Sequence, residues 1–295
     1  MSCFVRFWGT RGSIPTPGRK THRYGGNTSC VEVRMDDAMF VLDGGTGLRE
    51  LGVDLLKRGP GPVHAHMLFS HMHWDHIQGF PFFVPAYVPN SRLSIYGTFT
   101  GDRRHHQLLS GQMSSDYFPI DFSSLNANIV ASDLGPPAGR VIEGVAVRCF
   151  EQRHPGGSYA YSLEKDGIRV VYSTDNEVDL GLADPSAVQR DLAAPRALSA
   201  DLVEFCRGAD LLIADGQYTD EEYPKKVGWG HPRATTVADL AVQAGVGQLA
   251  IFHHDPMHSD DHVDALVGEC RERVARWGSA VIVFAAREGM TLKVG

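Results

Sequence analysis

The sequence lacks a net positive charge and a long hydrophobic run, and each absence excludes a class of protein. The 295 residues carry a formal net charge of −7, which disfavours sequence-independent binding of nucleic acid because such binding needs a basic surface. No apolar run reaches the roughly 20 residues that a membrane span requires, so no membrane partner is expected. A small anionic substrate is still compatible with the charge, because bound divalent ions reverse the local charge of a site.

Paired cysteines are absent as well. The five cysteines are scattered along the chain, odd in number and free of any C-x-x-C pair. We interpret them as reduced, mostly buried hydrophobic residues and not as disulfides or metal ligands. Met1–Arg6 does not have the form of a signal peptide. These features predict a cytoplasmic protein.

Histidine, in contrast, is concentrated in one run. Ser70–His76 contains three histidines and an aspartate, a density of nitrogen and oxygen ligands that is typical of a metal site, and of a site with two metal ions. His71 and His73 follow a predicted buried strand and leave the chain on one side, whereas Asp75 and His76 lie where the chain turns. A chance cluster on a strand edge is the alternative. It is disfavoured because ionisable groups beside an apolar strand are costly unless paired or metal-bound.

Two metal ions need more ligands than this run supplies. Isolated ionisable residues at the ends of other predicted strands can provide them, and three positions qualify. His154 precedes a Pro-Gly-Gly turn, Asp175 ends an apolar strand, and His253 ends another. His254 follows directly and is the alternative to His253.

Strand and helix patterns alternate along the whole chain. Helices are predicted at Arg233–Ala244 and Asp260–Arg276, and a single strand is predicted at Val141–Phe150. The order of elements predicts an α/β fold with two sheets and helices outside them, a four-layer αββα sandwich. One domain is expected over residues 1–295, with an insertion at about 98–126 that could lie over a pocket.

The order of the candidate ligands carries a family resemblance. The run His71–His76, followed by His154, Asp175 and His253, resembles the metallo-β-lactamase superfamily. Three further segments resemble its phosphodiesterase branch, which includes ribonuclease Z and cyclic-phosphodiester hydrolases: Trp8–Pro15, Leu42–Gly47 and Gly230-His231.

This resemblance implies a ligand set and two divalent ions. One ion would be held by His71, His73 and His154, the other by Asp75, His76 and His253, with Asp175 bridging both. Zn²⁺ is expected from the histidine-rich shell, with Mn²⁺ or Fe²⁺ as alternatives.

Two further residues are interpreted from the same resemblance. His253 is preferred to His254 because the strand before it aligns without a gap with the family's strand-then-histidine element. Asp43 is similar to a buried aspartate that orients a histidine ligand, which agrees with the general rule that ligand imidazoles donate their second N–H to a carboxylate.

The segment Gly230–Thr236 resembles the Gly-His-Ser-Thr element of ribonuclease Z-like enzymes, with Pro232-Arg233-Ala234 in place of the usual short link. Asp215 matches the position of the acidic residue that pairs with this histidine. The resemblance therefore implies His231, Asp215 and Asp75 as catalytic residues. An imidazole oriented by a carboxylate beside a helix N-terminus could contact a phosphate oxygen and protonate a departing alkoxide, and the helix N-terminus itself could meet the charge on the phosphate oxygens.

The predicted function is that of a binuclear metal-dependent phosphodiesterase, which attacks a small phosphodiester such as a cyclic nucleotide with a metal-activated hydroxide. The alternatives are a thioester or lactone hydrolase of the same fold and an RNA 3′-processing nuclease. The acidic balance, and the lack of a basic glycine-rich arm of the kind that ribonuclease Z uses to grip transfer RNA, disfavour a large nucleic acid as partner. Homodimers are common among similar proteins, so a homodimer is one expected assembly.

Overall fold

The computed structural model describes residues 2–59, 61–97, 105–136, 139–185, 188 and 191–295, without the side chains of residues 105 and 106. This part of the chain forms two seven-stranded sheets. The first sheet contains, in spatial order, β14 (Thr291–Val294), β1 (Cys3–Gly9), β2 (Cys30–Met35), β3 (Ala38–Leu42), β4 (His64–Leu68), β5 (Arg92–Gly97) and β6 (Asn128–Asp133). The second contains β13 (Ile282–Ala285), β12 (Gln248–Phe252), β11 (Leu211–Asp215), β10 (Ile168–Ser173), β9 (Ser158–Lys165), β8 (Val145–Gln152) and β7 (Arg140–Ile142).

The described helices lie between the strands in sequence. The α-helices are α1 (Gly47–Arg58), α2 (Trp74–Ile77), α3 (His105–Gly111), α4 (Ala200–Cys206), α5 (Ala234–Ala244) and α6 (Asp260–Arg276). Short 3₁₀ helices occur at Phe80–Phe82, Val84–Tyr87, Phe122–Ser124, Val178–Gly181 and Tyr223–Lys225. None of these helices combines the length and apolar character of a membrane span.

Alternation along the strands separates an inner core from two outer ones. In β3, Phe40 and Leu42 lie in the core between the two sheets, whereas Met39 and Val41 lie in the outer core that contains the leucines of α1. Residues of α4, α5 and α6 form the outer core of the second sheet. The layers are therefore helix, sheet, sheet and helix, and the predicted αββα sandwich is confirmed.

One predicted strand is wrong in its extent. Val141–Phe150 is not a single strand but the hairpin of β7 and β8, in which Arg140 pairs with Val147. Glu143 and Gly144 form its turn with φ of 48° and 80°, a left-handed conformation that glycine adopts at little cost. The sequence pattern missed this turn because the apolar residues continue on both sides of it.

The predicted insertion falls partly outside the described residues, which omit 98–104. Its described remainder packs onto the first sheet, because Leu109, Met113 and Phe122 belong to the same outer core as α1. The ring of Phe122 stacks on Phe80 with a centroid distance of 6.0 Å. The extent of a single domain over residues 1–295 stays a prediction.

A buried ion pair joins the two long helices of the second sheet. Arg273 of α6 donates from Nε and Nη2 to the carboxylate of Asp239 on α5, at 2.6 and 2.7 Å, and both side chains are almost inaccessible to solvent. The same guanidinium also donates to the carbonyl oxygens of Leu192 and Ala194. It therefore ties a surface segment to both helices.

Removal of this carboxylate should destabilise the protein strongly. Asp239→Ala leaves a buried guanidinium without its counter-charge, so the free energy of unfolding should fall by about 3–5 kcal/mol. Urea denaturation followed by circular dichroism measures the change. The control is Glu204→Ala, which breaks the exposed pair with Arg207 and should cost less than about 1 kcal/mol. Equal losses in both variants would contradict this role.

Candidate metal centre

The candidate site lies where parallel strands of both sheets end. Strands β3–β6 run parallel in one sheet and β10–β13 in the other, and ligands bind at such carboxyl edges in many α/β proteins. Asp43 and His253 follow a strand directly and Asp175 follows one after Thr174, and the three residues have φ of 58°, 59° and 52°. Left-handed backbone at residues other than glycine costs about 1–3 kcal/mol each and persists where the surrounding structure enforces it, often at functional sites.

The first cluster consists of His71, His73 and His154. Nε2 of His154 lies 3.1 Å from Nδ1 of His73. The His71 ring centroid lies 4.4 Å from that of His73 and 4.8 Å from that of His154. Each imidazole offers one nitrogen, and these nitrogens all lie within 4.8 Å of one another, so one cation could contact all three.

The second cluster consists of Asp75, His76 and His253. Oδ2 of Asp75 lies 3.2 Å from Nε2 of His76 and 3.2 Å from Nε2 of His253. All three side chains are buried. The backbone amide of Ser13 donates to the same Asp75 oxygen at 2.7 Å, which helps to fix the carboxylate.

Asp175 lies between the two clusters. Its Oδ1 is 3.2 Å from Nε2 of both His76 and His253. Its Oδ2 is 3.8 Å from Nε2 of both His71 and His154. One carboxylate oxygen thus faces each cluster, the arrangement that a bridging ligand requires.

The protonation states differ between the two clusters. In the second, burial alone would lower the pKa of His76, but Asp75, Asp175 and Asp43 raise it well above its usual range, so this ring carries a positive charge where a cation would otherwise balance the carboxylates. Burial lowers the pKa of His71 well below its usual range and also lowers the pKa of His73 and His154, so these rings are neutral and can coordinate. Burial alone would raise the pKa of Asp75 and Asp175, but the surrounding histidines hold both well below the usual range.

Unpartnered nitrogens give an independent test of fit. Nε2 of His71 is buried and has no hydrogen-bond partner among the described residues, whereas Nε2 of His76 faces oxygens of Asp75 and Asp175 at 3.2 Å without the geometry of a regular hydrogen bond. A buried polar atom without a partner is costly unless something binds it. Divalent metal ions of the type that prefers imidazole and carboxylate ligands therefore fit both clusters.

Asp43 orients one of the ligand rings. Its Oδ2 lies 2.7 Å from Nδ1 of His76 and accepts from the hydroxyl of Tyr172 at 2.8 Å. Both carboxylate oxygens also accept from Ser70, through its backbone amide and its hydroxyl. Asp43 holds the Nδ1 proton of His76, so Nε2 is the nitrogen that points toward Asp75 and Asp175.

A carboxylate–imidazole pair stands beside both clusters. Nδ1 of His231 lies 2.7 Å from Oδ2 of Asp215, and the His231 ring centroid lies 5.4 Å from that of His154 and 5.0 Å from that of His253. Burial alone would lower the pKa of His231, but Asp215 and the carboxylates beyond it raise it to about 9. His231 therefore carries a second proton, on Nε2, that it can donate.

Comparison with known proteins assigns the family. Residues 39–254 match the family model described as "Beta-lactamase superfamily domain". The chain belongs to the β-lactamase superfamily. The predicted family and the predicted metal-dependent hydrolase are thereby confirmed.

Three superfamily proteins illustrate the similarity. A ribonuclease Z of Haloarcula marismortui is 24% identical over 327 residues, which cover 100% of this chain and 97% of the relative. The metallo-β-lactamase fold protein YhfI of Bacillus subtilis has a TM-score of 0.67 at 18% identity, with 99% of both chains covered. Human tRNase Z, short form, has a TM-score of 0.64 at 17% identity, again over 99% of both chains. The two structures support the fold. The expectation from the sequence was that a large nucleic acid is not a partner, and the name of the first relative counts against it.

The sequence left His253 and His254 as alternatives, and the geometry favours His253. His254 turns away from the clusters, because its Nε2–H donates to the carbonyl oxygen of Ala286 at 2.9 Å. Burial lowers the pKa of His254 to about 3, so this ring is neutral in its own enclosed environment. The assignment of all seven ligands stays a prediction that this geometry supports.

Sequence reasoning missed the residue that holds the loop before His231. Glu177 accepts at 2.7 Å from the backbone amides of both Gly228 and Gly230. The Gly230 carbonyl in turn accepts from Nδ1 of His154 at 3.0 Å. A Cβ on Gly230, whose φ is 92°, would lie 2.1 Å from that nitrogen, so glycine is required. The sequence offered one indication of this role, which is that Glu177 lies two residues after the candidate ligand Asp175.

The expected contact between a helix N-terminus and the phosphate is not supported. At the start of α5, the backbone amide of Arg233 donates to Asp179, and that of Ala234 donates to the carbonyl oxygen of Tyr218. The hydroxyl of Thr236 also donates to Asp179. These donors are engaged within the protein because a buried carboxylate caps the helix, a long-range contact that the local sequence does not reveal.

Asp43→Asn should weaken metal binding while the fold persists. An amide replaces one acceptor oxygen with a donor, so the His76 ring loses its orienting partner, and metal affinity should fall about 10–100-fold. Competition with a chromophoric chelator measures the affinity. The control is Asp36→Asn, because Asp36 also has a positive φ but lies on the surface. Unchanged affinity in Asp43→Asn would contradict the orienting role.

Proposed function

We propose that this protein is a binuclear metal-dependent phosphodiesterase. His71, His73 and His154 would hold one ion, and Asp75, His76 and His253 the other, with Asp175 contacting both. When bound, two divalent ions lower the pKa of water and neutralise charge on a phosphoryl oxygen. The histidine-rich shell favours Zn²⁺, and the Zn²⁺-bound structural neighbour PqqB of Methylobacterium extorquens has the same fold.

The observation that carries the proposal is the His231–Asp215 pair. Asp215 accepts the Nδ1 proton, holds the ring in place and stabilises its cationic form. Nε2–H can then donate a proton to the oxygen that leaves phosphorus. An alkoxide is a poor leaving group, so its departure benefits from such a donor. A thiolate leaves without one, which favours a phosphodiester over a thioester.

A cleft lined in part by the histidine-rich run suits the organic part of a small substrate. It has a volume of ≈ 550 Å³ and is lined by Met72 and Trp74 of the histidine-rich run and by Phe82 and Tyr117. Cavities of 300–1,000 Å³ are typical of small-molecule sites. Trp74 and Tyr117 are 73% and 76% exposed, so their ring faces are open to stack on a base or an aryl group. Phe118 instead anchors the insertion, since its ring packs edge-on against Phe82.

An RNA 3′-processing nuclease is the second candidate. It is favoured by the relatives named ribonuclease Z, several of which align over most of this chain. The net charge of −7 favours the small substrate, because RNA binding by charge needs a basic surface. Location in the cytoplasm and assembly as a homodimer stay predictions.

A panel of substrates separates these candidates. Bis-aryl phosphate, cyclic AMP, a transfer RNA precursor and a thioester are assayed side by side with the zinc-loaded protein. We expect hydrolysis of the phosphodiesters and little thioester hydrolysis. Faster processing of the transfer RNA precursor than of both small esters would select the second candidate. Activity on the thioester alone would exclude phosphodiester hydrolysis.

Asp175→Asn should lower the number of bound metal ions. An amide offers only one oxygen ligand, so it cannot contact both clusters as a charged carboxylate can. Elemental analysis at fixed free Zn²⁺ should give at least one ion fewer per chain than in the wild type, together with reduced bis-aryl phosphate hydrolysis. Asp166→Asn is the matched control, because Asp166 has a similar φ of 49° in the turn between β9 and β10. A full metal complement with full activity in Asp175→Asn is the result that opposes the bridging role.

His231→Ala should keep its metal and lose activity. Without the proton donor, hydrolysis of esters with poor leaving groups should fall by about 10²–10⁴-fold, whereas an activated aryl ester should be affected less. Turnover is measured with leaving groups of increasing pKa, next to the exposed-histidine control His64→Ala. An equal loss across all leaving groups would argue against proton donation by His231.

A further inference from the structure

A second group of metal-ligating side chains lies outside the hydrolytic site. Glu222, His258 and His262 each place one ligand atom within 4.8 Å of the others. Nε2 of His258 is 2.9 Å from Oε1 of Glu222, and Nε2 of His262 is 3.8 Å from the same oxygen. Both rings therefore direct the same nitrogen toward one carboxylate oxygen.

The two histidines lie on either side of the start of α6. His258 precedes the helix and His262 is in its first turn, and their rings stack at a centroid distance of 3.8 Å and an angle of 19°. The carbonyl oxygen of His258 accepts from the buried guanidinium of Arg11 at 2.9 Å. Its amide donates to the carbonyl oxygen of Asp255. The backbone of His258 is therefore fixed, and one ring has to rotate out of the stack for both nitrogens to point at one ion.

The carboxylate is also positioned in advance. Oε2 of Glu222 accepts from the backbone amide of Thr219 at 2.9 Å, which leaves Oε1 for the histidines. Burial would raise the pKa of Glu222, but the Thr219 amide and His258 lower it, so the group is ionised. Burial likewise lowers the pKa of His258, which favours the neutral ring that a metal ion needs.

One nitrogen of the group has no partner. Nε2 of His262 is buried and makes no hydrogen bond within the described part of the chain. The surroundings are acidic. Burial raises the pKa of Glu269, the negative charges of Glu221 and Asp220 raise it further, and His262 lowers it. A cation at this position would satisfy the nitrogen and reduce the local negative charge.

We propose that Glu222, His258 and His262 form a third divalent-metal site, of the type that binds Zn²⁺. Two imidazoles and one carboxylate are a common zinc ligand set, with the fourth position left to water. Glu222 lies on the segment that leads to His231, and His258 lies five residues after His253. An ion held here joins these two segments and stabilises the folded chain, because it binds the folded state and not the unfolded one.

The test compares zinc content and thermal stability. Wild type, Glu222→Gln, His262→Ala and the control His22→Ala are equilibrated at the same buffered free Zn²⁺ and analysed per chain. His22 is an exposed histidine near the start of the same helix and does not belong to the group. Wild type and His22→Ala should hold one zinc ion more than the other two variants, and zinc should raise their Tm further.

Equal zinc content and equal zinc-induced shifts of Tm in all four proteins would overturn the proposal and leave an ordinary ion pair. If both variants of the group fail to fold, anomalous scattering at the zinc edge from wild-type crystals decides. A peak among the three side chains supports the site, and no peak there at saturating zinc rejects it. Hydrolysis of phosphodiesters is not the readout, so failure of this site and failure of the proposed function are separate outcomes.

Discussion

Four carboxylates buried at one edge of the sandwich are the constraint on which the rest of the site depends: Asp43, Asp75, Asp175 and Asp215. Buried negative charge is costly unless it is paired or bound to a metal. Histidines from four separate segments surround these groups, and several of them are neutral because burial lowers their pKa. The imidazoles of the first cluster therefore supply ligand atoms, whereas carboxylates raise the pKa of His76 and His231, which supply positive charge. Divalent cations are the natural counterpart of the carboxylates that remain.

The outer contacts explain how flexible loops can hold ligands at fixed positions. Asp43 holds the His76 ring, the Gly230 carbonyl holds the His154 ring, and Glu177 holds the loop that carries Gly230. Asp43 follows directly on the parallel strand β3, whereas Glu177 and Gly230 lie in loops that pack against the same edge. The site is thus built on rigid elements, with the loops fixed by buried carboxylates.

Much of this arrangement could be predicted from the sequence because its signals are short-ranged. The spacing within His71–His76 and the strand-end positions of Asp175 and His253 predicted ligands that the structure brings together, and the order of the strand and helix patterns predicted the two sheets. Glu177 and the cap formed by Asp179 were missed, since a lone carboxylate has no pattern that reveals a partner fifty residues away. The turn at Glu143-Gly144 was missed because backbone conformation, and not hydrophobicity, defines it. Positive φ at Asp43, Asp175 and His253 is likewise a product of tertiary structure.

The central claim is that two cations bind between these segments. Anomalous diffraction from crystals grown with saturating zinc tests it most directly. The account predicts two peaks about 3.5–4 Å apart, one beside His71, His73 and His154 and the other beside Asp75, His76 and His253, with Asp175 between them. A single peak away from Asp175, or no peak at either cluster, would contradict it.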